Sequence, residues 1–236
     1  MSQKIAVVLI HGIGKQDSNY GDSIIYELKK QFAEFISGKA KNPASELVIE
    51  PVYWAPIIQR HEDKLWSRMK HGGTLDFRNL RRLMIDFAAD AIAYQQTPQD
   101  RHVYDGIHKS VAKSIKHLAT HSGGQAPLCV ISHSLGTVIA CNYFWDLQHS
   151  DNPEQIPDNI KKDIGKTPLD LGKTLTSFYT LGSPIALWSL RYDDPDFGRP
   201  IKVPSPNLKE IYPYLKGEWI NFYDKDDILA YPLKTL

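Results

Sequence analysis

Two neighbouring segments constrain this chain more than any others. Leu128–Ser132 is a short apolar run, and Thr137–Leu147 is apolar almost all round. The first reads as a strand. The second is a helix with no wet side, which belongs in a core. Only His133, Ser134, Leu135 and Gly136 lie between them, so the chain must turn sharply from strand to helix there.

The same alternation runs through the rest of the chain. Ile5–Ile10 is another continuous apolar run. Residues 22–37 carry Ile24, Ile25, Leu28, Phe32, Phe35 and Ile36 at helical spacing, with Gly38 as the stop. Leu47–Tyr53 alternates as a strand and ends before Pro56. Residues 60–95 read as mostly helical, with Leu80, Leu83, Met84, Phe87, Ala91 and Ile92 on one face and Asp86 and Asp90 off it. Arg78, Arg81 and Arg82 form a basic cluster, read as a solvated helix face, with an anionic substrate contact as the alternative. Ile107, Val111, Ile115 and Leu118 mark a helix over about 104–119, and Leu175–Leu181 and Glu218–Tyr223 are further strands. The expectation is an α/β fold: a doubly wound, mostly parallel sheet with helices on both faces, in one domain over 1–236. Lid or cap segments are expected at about 55–100 and 185–215.

Composition narrows the partners. Net charge is +1, which gives no reason to propose nucleic acid. Cys129 and Cys141 lie in apolar segments, as buried free thiols of a reducing compartment would, and neither a disulfide framework nor a metal site is expected. The apolar run at Ile5–Ile10 is too short for a signal peptide, and no stretch reaches the roughly 18 apolar residues of a membrane span. These readings point to a cytoplasmic protein.

Functional groups in parallel sheets gather beyond the carboxyl ends of strands. Ser134 stands at one such end. A serine hydroxyl needs exposure on a turn, and a base, to act as a nucleophile. The turn also needs small neighbours two residues away on each side, here Ser132 and Gly136. Leu135 N–H opens the following helix and is placed to hold an oxyanion. His11-Gly12-Ile13-Gly14 comes directly after the first strand, so Ile13 N–H is the second expected donor. His11 orders that loop by hydrogen bonding; with Gly12 and His133 it belongs to the loops around the serine. Beyond the last strand, Asp227 is the chosen acid, with Asp224 and Asp226 as competitors.

Taken together, these segments resemble the α/β-hydrolase superfamily on its lipase/esterase-like side. The resemblance rests on HGIGKQ at 11–16, SHSLG at 132–136, TLGSP at 180–184 and WINFYDKDDILAYPL at 219–233, in matching order. It implies Ser134 on a nucleophile elbow, Asp227 as the triad acid, and hydrolysis of a carboxylic, lipid-like ester through an acyl-enzyme, without a cofactor. Trp54, Phe77, Phe197, Tyr212 and Tyr214 are candidates for an apolar acyl pocket.

Two departures stand out. Ser132 replaces the usual first glycine of the elbow. The superfamily order is also serine, acid, histidine, and no histidine comes after Asp227. The strand and helix that would carry it are missing too. His149 lies about three turns along the elbow helix, at the wrong end. Three explanations are open: a shortened chain whose parent supplies the histidine, a histidine such as His11, His71 or His102 swinging in, or a non-catalytic relative that binds an acyl ligand or a protein partner.

Overall fold

The computed structural model describes residues 3–14, 16–73, 76–95, 101–149, 156, 158–190 and 200–234. In chain order the elements are β1 (Ile5–Ile10), α1 (Asp22–Phe35), α2 (Pro43–Glu46), β2 (Leu47–Val52), α3 (Pro56–His71), α4 (Arg78–Ala93), α5 (His102–Ser122), β3 (Leu128–His133), α6 (Leu135–Gln148), α7 (Asp158–Lys161), β4 (Leu175–Leu181), α8 (Ile185–Ser189), α9 (Leu208–Ile211) and β5 (Glu218–Phe222). The five strands pair in the order β2-β1-β3-β4-β5, and every pairing is parallel.

The expected α/β architecture is present, with helices on both faces but unevenly distributed. One face is deeply covered. Ala6, Val8 and Ile10 of β1 and Leu128 and Val130 of β3 share a core with Ile107, Val111, Ile115 and Leu118 of α5, and with Val138, Ile139 and Phe144 of α6. The opposite face has a smaller cluster, Val7, Leu9, Leu47 and Ile49, packed by Ile25, Leu28 and Phe32 of α1. That helix is narrower in its contact than its apolar stripe predicts: Ile24 and Phe35 face solvent.

Pro56 stands at the first position of α3, where its missing N–H is no loss, so it starts a helix as well as ending the strand region. In α4, Ile92 is 68% exposed, whereas Asp90 is 2% exposed, reversing the expected faces at that end of the helix. The side chains of Leu80, Leu83, Met84, Asp86 and Phe87 lie outside the described residues.

The segment after α9 and the stretch before it also differ from expectation. Residues 191–199, including Phe197, lie outside the described residues. From 200 onward the chain is packed against the amino end of β4: Ser205 N–H donates to Leu175 O at 2.8 Å, and Leu208 is fully buried. Tyr212 Oη donates to Gln125 O, just before β3. Residues 200–213 therefore sit at the opposite end of the sheet from the strand carboxyl ends and form no lid over them. Their prolines suggest an open loop because sequence alone does not show that Ile201 and Leu208 are core residues.

Strand register positions the site. Ile10 lies opposite both Val52 and Ser132, His133 opposite Leu181, and Leu181 opposite Phe222. All five strands thus end along one line, and the loops after β1, β3, β4 and β5 emerge side by side. No described helix is long and apolar enough to cross a membrane.

Candidate active site

Ser134 joins β3 to α6 with φ 50 and ψ −128, a left-handed backbone at a non-glycine residue. Such a conformation costs of order 1–3 kcal/mol and persists only where its surroundings impose it. Here they do. Ser134 N–H donates to Leu181 O at 2.9 Å. Its carbonyl accepts from Thr137 N–H at 2.9 Å and from Thr137 Oγ1 at 2.7 Å. Thr137 Oγ1 in turn lies 2.8 Å from Ser183 Oγ on the loop after β4. Both Thr137 and Ser183 are fully buried.

The loop after β1 presses directly on this turn. A Cβ on Gly12 would lie 2.6 Å from Ser134 Cβ and 3.0 Å from His133 Nδ1. A Cβ on Gly136 would collide with the carbonyl oxygens of His11 and Ile10. Both glycines are therefore required by close approach. The segments bearing the two expected oxyanion donors, Ile13 and Leu135, are brought together. Leu135 opens α6, so its N–H has no helical carbonyl four residues back and faces the turn unsatisfied by the helix.

His11 is 5% exposed and held at both nitrogens of its ring. Nδ1 is 2.7 Å from Gly12 O and must donate; Nε2 then accepts from Trp54 N–H at 3.3 Å. Trp54 Nε1 donates to His11 O at 3.0 Å, and the two rings stack at 4.6 Å. Burial pushes the imidazole down to about 4, so it is neutral and fully engaged. These bonds hold His11 within the loop after β1. His71 bonds to Ser67 O on the last turn of α3, and His102 starts α5; neither lines the cleft beyond β4 and β5.

Asp90 is a part of the site that sequence reasoning misses. Gly14 N–H donates to its buried Oδ2 at 3.4 Å, which ties α4 to the loop carrying Ile13. One turn on, Tyr94 Oη lies 2.9 Å from His108 Nε2 and accepts from Asn142 Nδ2 of α6 at 3.3 Å. Helical periodicity places Asp90 among the solvated groups. An aspartate sharing the buried turn with a tyrosine one turn later is the available signal.

Beyond β4 and β5 lies an open cleft of about 800 Å³, lined by His133, Leu181, Gly182, Phe222, Tyr223, Asp224, Lys225 and Asp227. Gly182 has φ 57, and a Cβ there would sit 3.4 Å from Asp227 Oδ2 and 3.5 Å from His133 Nε2. The loop carrying Asp227 is clipped in place at several points. Asn221 Nδ2 donates to Tyr231 O at 2.9 Å, and Asn221 Oδ1 accepts from Thr180 Oγ1 at 2.8 Å. Tyr231 N–H reaches Ser183 O, and Gly182 N–H reaches Phe222 O. Asp227 Oδ1 caps Leu229 N–H at 2.9 Å. Asp224 Oδ1 instead accepts from Asp226 N–H, closing the turn that presents Asp227.

Burial holds the His133 imidazole below its ordinary range, with Asp227 pulling it back upward. The ring and the Asp227 side chain flank the same point beside Gly182. Among the described residues, the expected aromatic pocket is not assembled. Phe77 and Tyr214 are largely exposed, Tyr212 is at the far end of the sheet, and Trp54 is buried behind His11. The apolar lining comes from Leu181, Phe222 and Tyr223.

A hydroxyl on a strained turn, amide N–H groups at a helix start, an imidazole and a carboxylate thus converge at one edge of the sheet. Such a set is suited to covalent chemistry at an electrophilic carbon with negative charge held by backbone donors. No group of three or more metal-ligating side chains occurs among the described residues. No protein-family model, curated protein or solved structure matches the chain.

Proposed function

We propose that this chain is a serine hydrolase of the α/β-hydrolase type that cleaves carboxylic esters, with a lipid-like substrate as the expected class. The observation that carries the reading is Ser134 at φ 50 between a central strand and a buried helix. Strain of that kind is a cost that nucleophile presentation accounts for. In this reading Ser134 Oγ attacks the ester carbonyl, Ile13 and Leu135 N–H groups hold the oxyanion, and Asp227 stabilises positive charge on an imidazole. Leu181, Phe222 and Tyr223 offer apolar surface to the acyl or alcohol part.

A fluorophosphonate probe tests it. The purified chain should gain one adduct, located by mass at Ser134 and abolished in Ser134→Ala. A folded protein that takes no label at Ser134 overturns the reading. The second reading is a binding protein on the same scaffold, for an acyl ligand or a protein partner. It is favoured by the lack, among the described residues, of an imidazole hydrogen-bonded to Asp227. Retention of a radiolabelled fatty acid without probe labelling would support it.

A further inference from the structure

We propose that His133, the residue immediately before the nucleophile, is the proton acceptor for Ser134 in this chain. The inference rests on the serine-hydrolase reading and supplies the base that reading leaves open.

The ring shares close surroundings with both groups a base must join. Nδ1 faces the point where a Cβ on Gly12 would stand, 3.0 Å away, and Ser134 Cβ is 2.6 Å from that same point. Nε2 faces the corresponding point on Gly182, 3.5 Å away, with Asp227 Oδ2 at 3.4 Å from it. The absence of side chains at Gly12 and Gly182 opens both gaps. Neither nitrogen of His133 carries a hydrogen bond among the described residues, so both remain available.

Six other imidazoles are committed elsewhere. His11 and His108 are buried in bonds of their own. His71, His121 and His149 each direct Nδ1 at the carbonyl four residues back. His117 sits on Glu50 at 2.9 Å. None of these lines the cleft.

The charge pattern selects the tautomer. Asp227 favours a proton on Nε2, leaving the Nδ1 lone pair toward Ser134. As the bond from Ser134 Oγ to the carbonyl carbon forms, the Oγ–H proton passes to Nδ1 and the imidazolium is stabilised by Asp227. The same Nδ1–H then protonates the departing alkoxide as the ester C–O bond breaks. Water reverses the sequence to release the acid. Of the titratable groups around the ring, Tyr223, Asp224, Lys225 and Asp227 line the same cleft, and His11 and Asp227 interact with it electrostatically. Its protonation should occur in one step set chiefly by burial and Asp227.

Labelling kinetics test this. With the probe, the Oγ–P bond forms, fluoride leaves and the proton goes through Nδ1 to solvent. Wild-type labelling at Ser134 should rise with pH through a single step below the ordinary histidine range, then level off. His133→Gln should label roughly 10²-fold more slowly or worse and lose that step, and added imidazole should restore part of the rate to His133→Ala. In folded wild-type protein, the His133 ring titration measured by NMR should match the kinetic step, a check that needs no variant. Labelling that persists at full rate and with an unchanged pH profile in His133→Gln overturns His133 alone. So does a ring titration that differs from the kinetic step. A wild type that never labels at Ser134 overturns the hydrolase reading and this assignment together.

Discussion

β1 and β5 belong to one parallel sheet and end at the same edge, yet they are held by different means. β1 is paired on both sides, and five of its six residues are buried. Among the described residues β5 is the edge strand, paired on one side, and none of its five residues is buried. The Ser134 side of the site therefore rests on close packing: His11 under Trp54, Gly12 against Ser134, Gly136 against two carbonyls. The Asp227 side rests on a short set of hydrogen bonds from Asn221, Tyr231, Ser183 and Gly182. Packing of the first kind tolerates almost no added volume. Bonds of the second kind contribute about 1 kcal/mol each and can loosen singly. Ser134 should thus hold its conformation under changes that shift Asp227.

The largest effect should come from the packed side. Gly136→Ala places a methyl against His11 and Ile10 backbone, and should cost about 3 kcal/mol or more in denaturant unfolding. A near-neutral result would mean that the two loops do not touch.

Next comes a matched pair. Ile10→Ala, in a residue 2% exposed, should cost about 3 kcal/mol. Ile220→Ala, half-buried on β5, should cost roughly 1 kcal/mol or less. Equal losses would remove the contrast between centre and edge.

Acid should also act on the packed side. Folding lowers the His11 value from 6.5 to about 4, so between these values the unfolded chain binds more protons than the native one. Stability contributed by this group is complete above about pH 6.5 and is lost as pH falls, about 2 kcal/mol by pH 5, levelling off below about 4. His11→Gln should flatten that part of the stability–pH curve, whatever its effect at neutral pH. An unchanged slope would show that His11 is not buried as a neutral ring.

The smallest effect on stability belongs to the bonded side. Asn221→Ala removes bonds to Tyr231 O and Thr180 Oγ1 and should cost about 1 kcal/mol. It should nevertheless slow probe labelling at Ser134 several-fold, because the loop that presents Asp227 loses its clip. A labelling rate unchanged in Asn221→Ala would separate Asp227 from the chemistry.

The legible parts of the site divide along the same line. Ser134 can be placed because an apolar strand, a serine and a fully apolar helix adjoin in sequence, and burial on both faces leaves a local periodic trace. Gly12 and His11 are legible for the same reason, directly after β1. Asp227 is separable from Asp224 and Asp226 only through a motif, since all three stand in one polar turn. Asp90 is misjudged because its partner, Gly14, is far away in sequence, and helical periodicity alone reads a lone aspartate as solvated. The aromatic pocket fails similarly: Tyr212 and Tyr214 are assigned by their loop, while the direction in which that loop leaves the sheet is not encoded locally.

By itself, then, the sequence determined the alternation of strands and helices, the strand–helix turn at Ser134 and the glycine loop beside it. These depend on spacing along the chain and on whether a segment must be buried on one face or all round. Tertiary structure alone decided which loops meet. Parallel register brings the ends of β1, β3, β4 and β5 to one line, brings His133 and Asp227 to the same side of Gly182, places Gly14 N–H on Asp90, and sends residues 200–213 to the other end of the sheet. Each of these is a long-range contact chosen by the pairing of whole strands, and no local pattern carries that information.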